Sequence, residues 1–208
     1  MKKLSSAIII VFVPAVFIFS KCSGNKSNED GDKKDSTAVS NAGCGGFESQ
    51  VKYGEHLVLI AGCNDCHTPK KMTSTGPEPD FSLALSGHPS KMPPPDVDRK
   101  AMESNGLAVT NDLTAWVGPW GISYAANITS DSTGIGTWSE AQFILCLREG
   151  KWKGIAGNRQ LLPPMPWQSS FKFFTDDEIK AVFAYLKSTK PIKNVEPGAE
   201  VPVLAGKK

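Results

Sequence analysis

The chain has 208 residues, with 23 Lys+Arg against 21 Asp+Glu, 40% apolar side chains and 21% charged ones. That apolar share excludes a disordered chain, and the near-neutral balance excludes the concentrated positive face that nucleic-acid binding needs. Residues 1–21 hold three Lys and no acid, residues 22–46 three basic against four acidic, and residues 47–208 seventeen of each, so the positive excess belongs to the N-terminal segment.

Lys2 and Lys3 precede an apolar run from Ala7 to Phe19, interrupted by Pro14. The run is too short for a spanning helix, which needs about 20 residues. A basic start, a short apolar stretch and then polar residues read as an export signal over residues 1–21. Cys22 follows directly, an arrangement similar to a bacterial lipoprotein signal, which would leave the chain lipid-anchored at Cys22 on the periplasmic side of a bacterial membrane. An uncleaved anchor and ordinary cleavage are the alternatives, and all three export the rest of the chain. Residues 22–46 are mostly Ser, Gly, Asn, Lys, Asp and Glu with little to bury, which reads as a flexible tether. Cys44, near its end, is a spare thiol or half of a disulfide.

Glu48–Ala61 carries apolar residues at mostly helical spacing and stops at Gly62. Cys63-Asn64-Asp65-Cys66-His67 follows. C-x-x-C-H is the attachment pattern of c-type haem: two thiols three positions apart reach the vinyl groups on one side of a porphyrin, and the adjacent imidazole faces the iron. A zinc site would need two further ligands, and Cys44 and Cys146 form no second C-x-x-C pair. A thioredoxin-like dithiol would need a βαβ setting, which the flanks lack. The expected cofactor is therefore one covalently bound haem c with its iron.

Lys70, Lys71 and Lys91 flank the attachment region and read first as solvated surface cations. Pro79–Leu113, with Pro93-Pro94-Pro95 and little periodicity, reads as an extended loop at the haem edge. Thr137 or Ser139 starts a helix through Glu149, stopped by Gly150, with Cys146 inside it as a buried thiol. Leu161-Leu162-Pro163-Pro164-Met165-Pro166-Trp167 holds Met165 on a stiff backbone before any ligation. Thr175-Asp176-Asp177-Glu178 is a capping box for a closing helix with Ile179, Val182, Phe183 and Leu186 on one face. Residues 47–190 thus form the folded domain, and residues 191–208 a tail, read as a surface strap or a frayed end.

From about Phe47 to Leu186 this order of parts resembles the class I cytochrome c family. The stretch Trp120–Ser139, with Asn127-Ile128-Thr129 and Gly134-Ile135-Gly136, is similar to the cytochrome c subunits of membrane-bound alcohol and aldehyde dehydrogenases. Those subunits carry several haem motifs and this chain carries one, so it reads as a single-haem relative of one of their domains. The resemblance implies a mainly α, cytochrome c-like haem domain with long irregular insertion loops. It implies His67 and Met165 as axial iron ligands, and Pro77, in Thr75-Gly76-Pro77, as the carbonyl that accepts the His67 Nδ1 proton. Thr68-Pro69 is the alternative carrier of that carbonyl. Met92, His88 and an open sixth position stay as alternatives to Met165, with His56 a weaker one. An indole N–H, Asn127 or Arg159 could reach a haem propionate.

The function implied is an extracytoplasmic, membrane-tethered carrier of single electrons, not an enzyme. Its partners would be a redox donor and acceptor, such as a membrane dehydrogenase or a terminal oxidase. A haem ligand-binding sensor or peroxidase-like protein with an open or labile sixth position is the alternative.

Overall fold

The computed structural model describes residues 44–200. The export signal, Cys22, residues 22–43 of the tether and the end of the tail lie outside the described residues.

Helix α1, Gln50–Ile60, begins where the Ser49 hydroxyl accepts the Lys52 N–H. It buries Gly54, Leu57 and Val58. Gly62, at φ +68°, turns the chain into the single helical turn α2, Cys63–His67. The last helix, α5 (Asp176–Ser188), starts at the expected capping box, in which Thr175 and Glu178 each bond the other's backbone N–H. Its buried stripe is Ile179, Ala181, Val182, Phe183 and Leu186. The two terminal helices touch backbone to backbone at Gly54: a Cβ there would stand 1.9 Å from the Ala181 carbonyl oxygen. Only glycine permits that approach. Helix α4, Glu140–Glu149, is capped by Ser139 and Gln142 and ends at Gly150 in the left-handed region. Phe143 and Leu147 of α4 join Leu57, Val58, Ile179 and Leu186 in one apolar core. Each such side chain contributes about 1.5–3 kcal/mol when fully buried.

The expectation of a mainly α protein is corrected here. Of the described residues 35% are helical and 13% lie in strands or bridges, including two small antiparallel sheets, so the fold is mixed α/β. Strands β1 (Lys70–Thr73) and β2 (Gly76–Pro79) form a hairpin with Thr73 opposite Gly76. Strands β3 (Ala108–Val109), β4 (Ala115–Gly118) and β5 (Gly121–Tyr124) form a second sheet in that order. The reason is local. Trp116, Val117, Ile122 and Tyr124 are strand formers, and Pro119-Trp120 between two glycines makes a two-residue turn, with Gly121 at φ +96°. The stretch expected to be an edge loop also holds helix α3, Arg99–Asn105, started by the Asp98 side chain. Its polar sequence hides it. What anchors it is Glu103, buried and paired with Arg99 at 2.9 Å.

Residues 191–200 run across the outside of this body. Glu200 bridges to Ile122, beside β5, and Asn194 bonds to the loop at Ser86–His88.

Candidate functional site

Three segments far apart in sequence meet at the α2 turn. Thr68, fully buried, donates from its hydroxyl to Asn64 Oδ1 at 2.8 Å and accepts the Leu85 N–H at 2.9 Å. That seats the turn on the loop 85–88. Gly87 N–H then donates to the His67 main-chain carbonyl at 2.8 Å. The loop 85–88 lies along 125–128, with His88 N–H on the Ala125 carbonyl at 2.8 Å and Ile128 N–H on the Leu85 carbonyl at 2.9 Å.

The His67 ring sits in the resulting corner. Its Nδ1 lies 2.7 Å from the Ala126 carbonyl. A carbonyl only accepts, so Nδ1 carries the proton and Nε2 is the nitrogen with a lone pair to offer. Burial holds the imidazole below its ordinary pKa, and the bond to Ala126 pulls it partly back. The neutral ring that results is the ligating form. Pro77, by contrast, is exposed in β2, opposite Met72. The Pro69 carbonyl is taken by Asp80 N–H at 2.8 Å. The acceptor expected from Pro77 or Thr68-Pro69 is thus supplied by Ala126. A main-chain carbonyl has no side-chain signature, and nothing in the sequence separates the hairpin that carries Pro77 away from a plain loop.

Cys63 and Cys66 are free thiols on the same turn as His67, both half-buried. Burial pushes the Cys63 thiol up to about 12 and raises Cys66 as well, so both are protonated at neutral pH. Cys63 and Met165 pack against the same apolar core. The Met165 loop is propped by the inserted sheet: the Trp120 indole N–H donates to Ser123 Oγ at 3.0 Å, and that hydroxyl donates to the Pro163 carbonyl at 2.6 Å. Trp167 covers Gly150, where a Cβ would stand 2.3 Å from the indole.

His88 is fully buried, with Nδ1 2.7 Å from the Thr114 hydroxyl and Nε2 2.8 Å from the Met92 carbonyl. Both of its nitrogens are engaged, so it holds structure. Met92 lines a cavity of about 420 Å³ with Lys70, Met72 and Asp112. His56 is exposed and lies 4.8 Å from the Phe47 ring. Lys70 is a clamp rather than a free surface cation, since its Nζ donates to the Asp65 and Asp112 carbonyls. Asn127 bonds inward through both ends of its amide, and the Arg159 guanidinium lies over Trp152 at 4.8 Å. Among the described residues no group of three or more His, Cys, Asp or Glu could hold a metal ion by itself, and no helix is long and apolar enough to cross a membrane.

No family model matches the chain. It is 36% identical over 96 residues to a nicotinate dehydrogenase chain from Pseudomonas putida, covering 42% of this chain and 8% of that protein. It is 27% identical over 149 residues to the cytochrome c subunits of the quinone alcohol dehydrogenases of Gluconacetobacter polyoxogenes and Komagataeibacter europaeus, covering 71% of this chain and 26% of each relative. The chain therefore spans about a quarter or less of the length of these relatives.

Proposed function

We propose that the chain is an extracytoplasmic carrier of single electrons, built around one covalently attached haem c. Cys63 and Cys66 form the thioethers, His67 Nε2 and the Met165 thioether hold the iron, and the Ala126 carbonyl fixes the imidazole. The observation that supports this most is the His67–Ala126 bond of 2.7 Å. In one turn it leaves a neutral imidazole with Nε2 to offer and two unpaired thiols beside it, the donor set such a group needs. Similarity to dehydrogenase cytochrome c subunits over 71% of the chain adds weight.

When bound, the haem supplies a one-electron ferrous/ferric couple. The chain's own residues decide how that couple behaves. The Ala126 carbonyl draws on the Nδ1 proton and makes His67 a stronger donor. The Met165 sulfur is a soft, weakly basic ligand that favours the ferrous state and so a relatively high potential. With His67 and Met165 both holding the iron, the group would offer no open coordination site to a substrate, which suits a carrier rather than an enzyme. Leu57, Val58, Phe143 and Leu186 keep water from one side of the site.

Export by the 1–21 signal and a lipid at Cys22 would tether the domain to the outer face of the membrane. A membrane dehydrogenase would be the donor there and a terminal oxidase the acceptor. Expression with a bacterial c-type haem attachment system tests the reading. The exported chain should gain the mass of one haem and keep it in acidified acetone, and the Cys63→Ser/Cys66→Ser double variant should lose it. A colourless parent, or haem extracted by the acid, would overturn the proposal.

A further inference from the structure

Asn194 Nδ2 donates to the Ser86 carbonyl at 2.7 Å and to the His88 carbonyl at 2.8 Å, the two acceptors on either side of Gly87. Gly87 in turn holds the main chain of His67. Across the gap, Asn127 Nδ2 donates to the Ile192 carbonyl at 2.8 Å and to the Asn194 carbonyl at 3.2 Å. Asn127 is 3% exposed, and its Oδ1 accepts both the Thr129 N–H at 3.0 Å and the Thr129 hydroxyl at 2.8 Å. Donors and acceptors at both ends determine which way this amide points. Asn127 directly follows Ala126, whose carbonyl meets the His67 ring.

These bonds close a circuit. It runs from the His67 backbone to Gly87, through Asn194 in the strap, back through Asn127 to Ala126, and returns to the His67 ring. Without the strap, the 85–88 and 125–128 segments still bond each other and Asn127 still holds Thr129 and the Thr133 hydroxyl, but the ties that run from Asn127 through Ile192 and Asn194 to the carbonyls beside Gly87 are lost.

We propose that Asn127 and Asn194 are positioning residues for His67, and that the 191–200 strap sets the length of the Ala126–His67 bond and hence the donor strength of Nε2. The consequence for the iron rests on the carrier reading above; the circuit itself does not. The sign follows from ligand basicity. A firm Nδ1 bond makes the imidazole more electron-donating and favours ferric iron. Loosening it weakens donation, favours ferrous iron and raises the potential.

The test uses the full exported chain with haem attached. Asn194→Asp keeps the size and removes both donors; Asn194→Ser removes them without adding charge, should the aspartate disrupt the fold. Glu200→Gln, which loosens the far end of the strap at Arg99 without touching the circuit, is the control. Covalent haem content, melting temperature and midpoint potential are measured together. Both Asn194 variants should keep one haem and shift the ferric/ferrous balance three- to tenfold toward ferrous, up to about 59 mV for one electron. Glu200→Gln should leave the potential unchanged. Haem-loaded Asn194 variants with the parental potential would overturn the positioning role while leaving the carrier reading intact. A parent without covalent haem would overturn the carrier reading and the proposal with it.

Discussion

Gly87→Ala perturbs the site from the Nδ1 side of the His67 ring, through two separable penalties. Gly87 has φ +75°, a region that costs an L-residue roughly 1–2 kcal/mol. An added Cβ would also stand 2.5 Å from the Ala125 oxygen, 2.5 Å from the Ala126 carbonyl carbon and 2.6 Å from its oxygen. All three are main-chain atoms held by further hydrogen bonds, so no side chain can swing aside. Overpacking of that kind costs about 1–3 kcal/mol. The sum, about 3 kcal/mol, corresponds to a fall in melting temperature of about 6–12 °C for a domain of this size. The clash also pushes the Ala126 carbonyl off His67, so the potential should rise along with the loss of stability. Thermal unfolding of the haem-loaded protein, followed by far-ultraviolet circular dichroism, measures the first effect. Gly157→Ala is the matched comparison, because a Cβ there meets no atom within 4 Å, and it should change stability by no more than about 0.5 kcal/mol. Equal melting temperatures for the two variants would mean that neither the Gly87 backbone conformation nor its contact with Ala125 and Ala126 constrains the fold.

Replacing Met165 with Ala should leave the haem attached yet remove the methionine–iron absorption band and lower the potential; an unchanged spectrum would point to another sixth ligand. His88→Ala should destabilise the fold by about 2–4 kcal/mol in a denaturant titration, from a cavity plus the unpartnered Met92 carbonyl, with the iron spectrum unchanged. Burial pushes the Cys146 thiol up to about 11, so folding favours its protonated form. That contribution is complete below the ordinary thiol value near 9 and is lost as pH rises toward 11. Stability should therefore fall across that window, and less so in Cys146→Ala. At about pH 8, below the thiol's ordinary range, iodoacetamide should label Cys146 only after unfolding.

Helices α1, α4 and α5 and the attachment turn are legible in the sequence because their signals are local, whereas α3 is hidden by its polar sequence. Ser139 and Thr175 announce α4 and α5 through reciprocal caps, and C-x-x-C-H is read within five residues. The strands are not, because Lys70–Pro79 and Trp116–Tyr124 lie among prolines and glycines that also make loops, and only pairing distinguishes the two. For the His67 acceptor the resemblance to class I cytochromes c points to Pro77, and nothing local in the sequence contradicts it. Ala126 lies 59 residues away and reaches the ring through a backbone atom. Asn127 stands out within its motif, but its partners in the strap, Ile192 and Asn194, come only from the folded chain.

Whether the chain carries a haem c held by His67 and Met165 is decided by a redox-titrated visible spectrum of the exported, purified protein. It should show one reversible one-electron transition between low-spin ferric and low-spin ferrous spectra, at a potential typical of histidine–methionine ligation and with cyanide binding only slowly. A high-spin ferric spectrum that binds cyanide at once, or a protein with no haem absorbance at all, would contradict it.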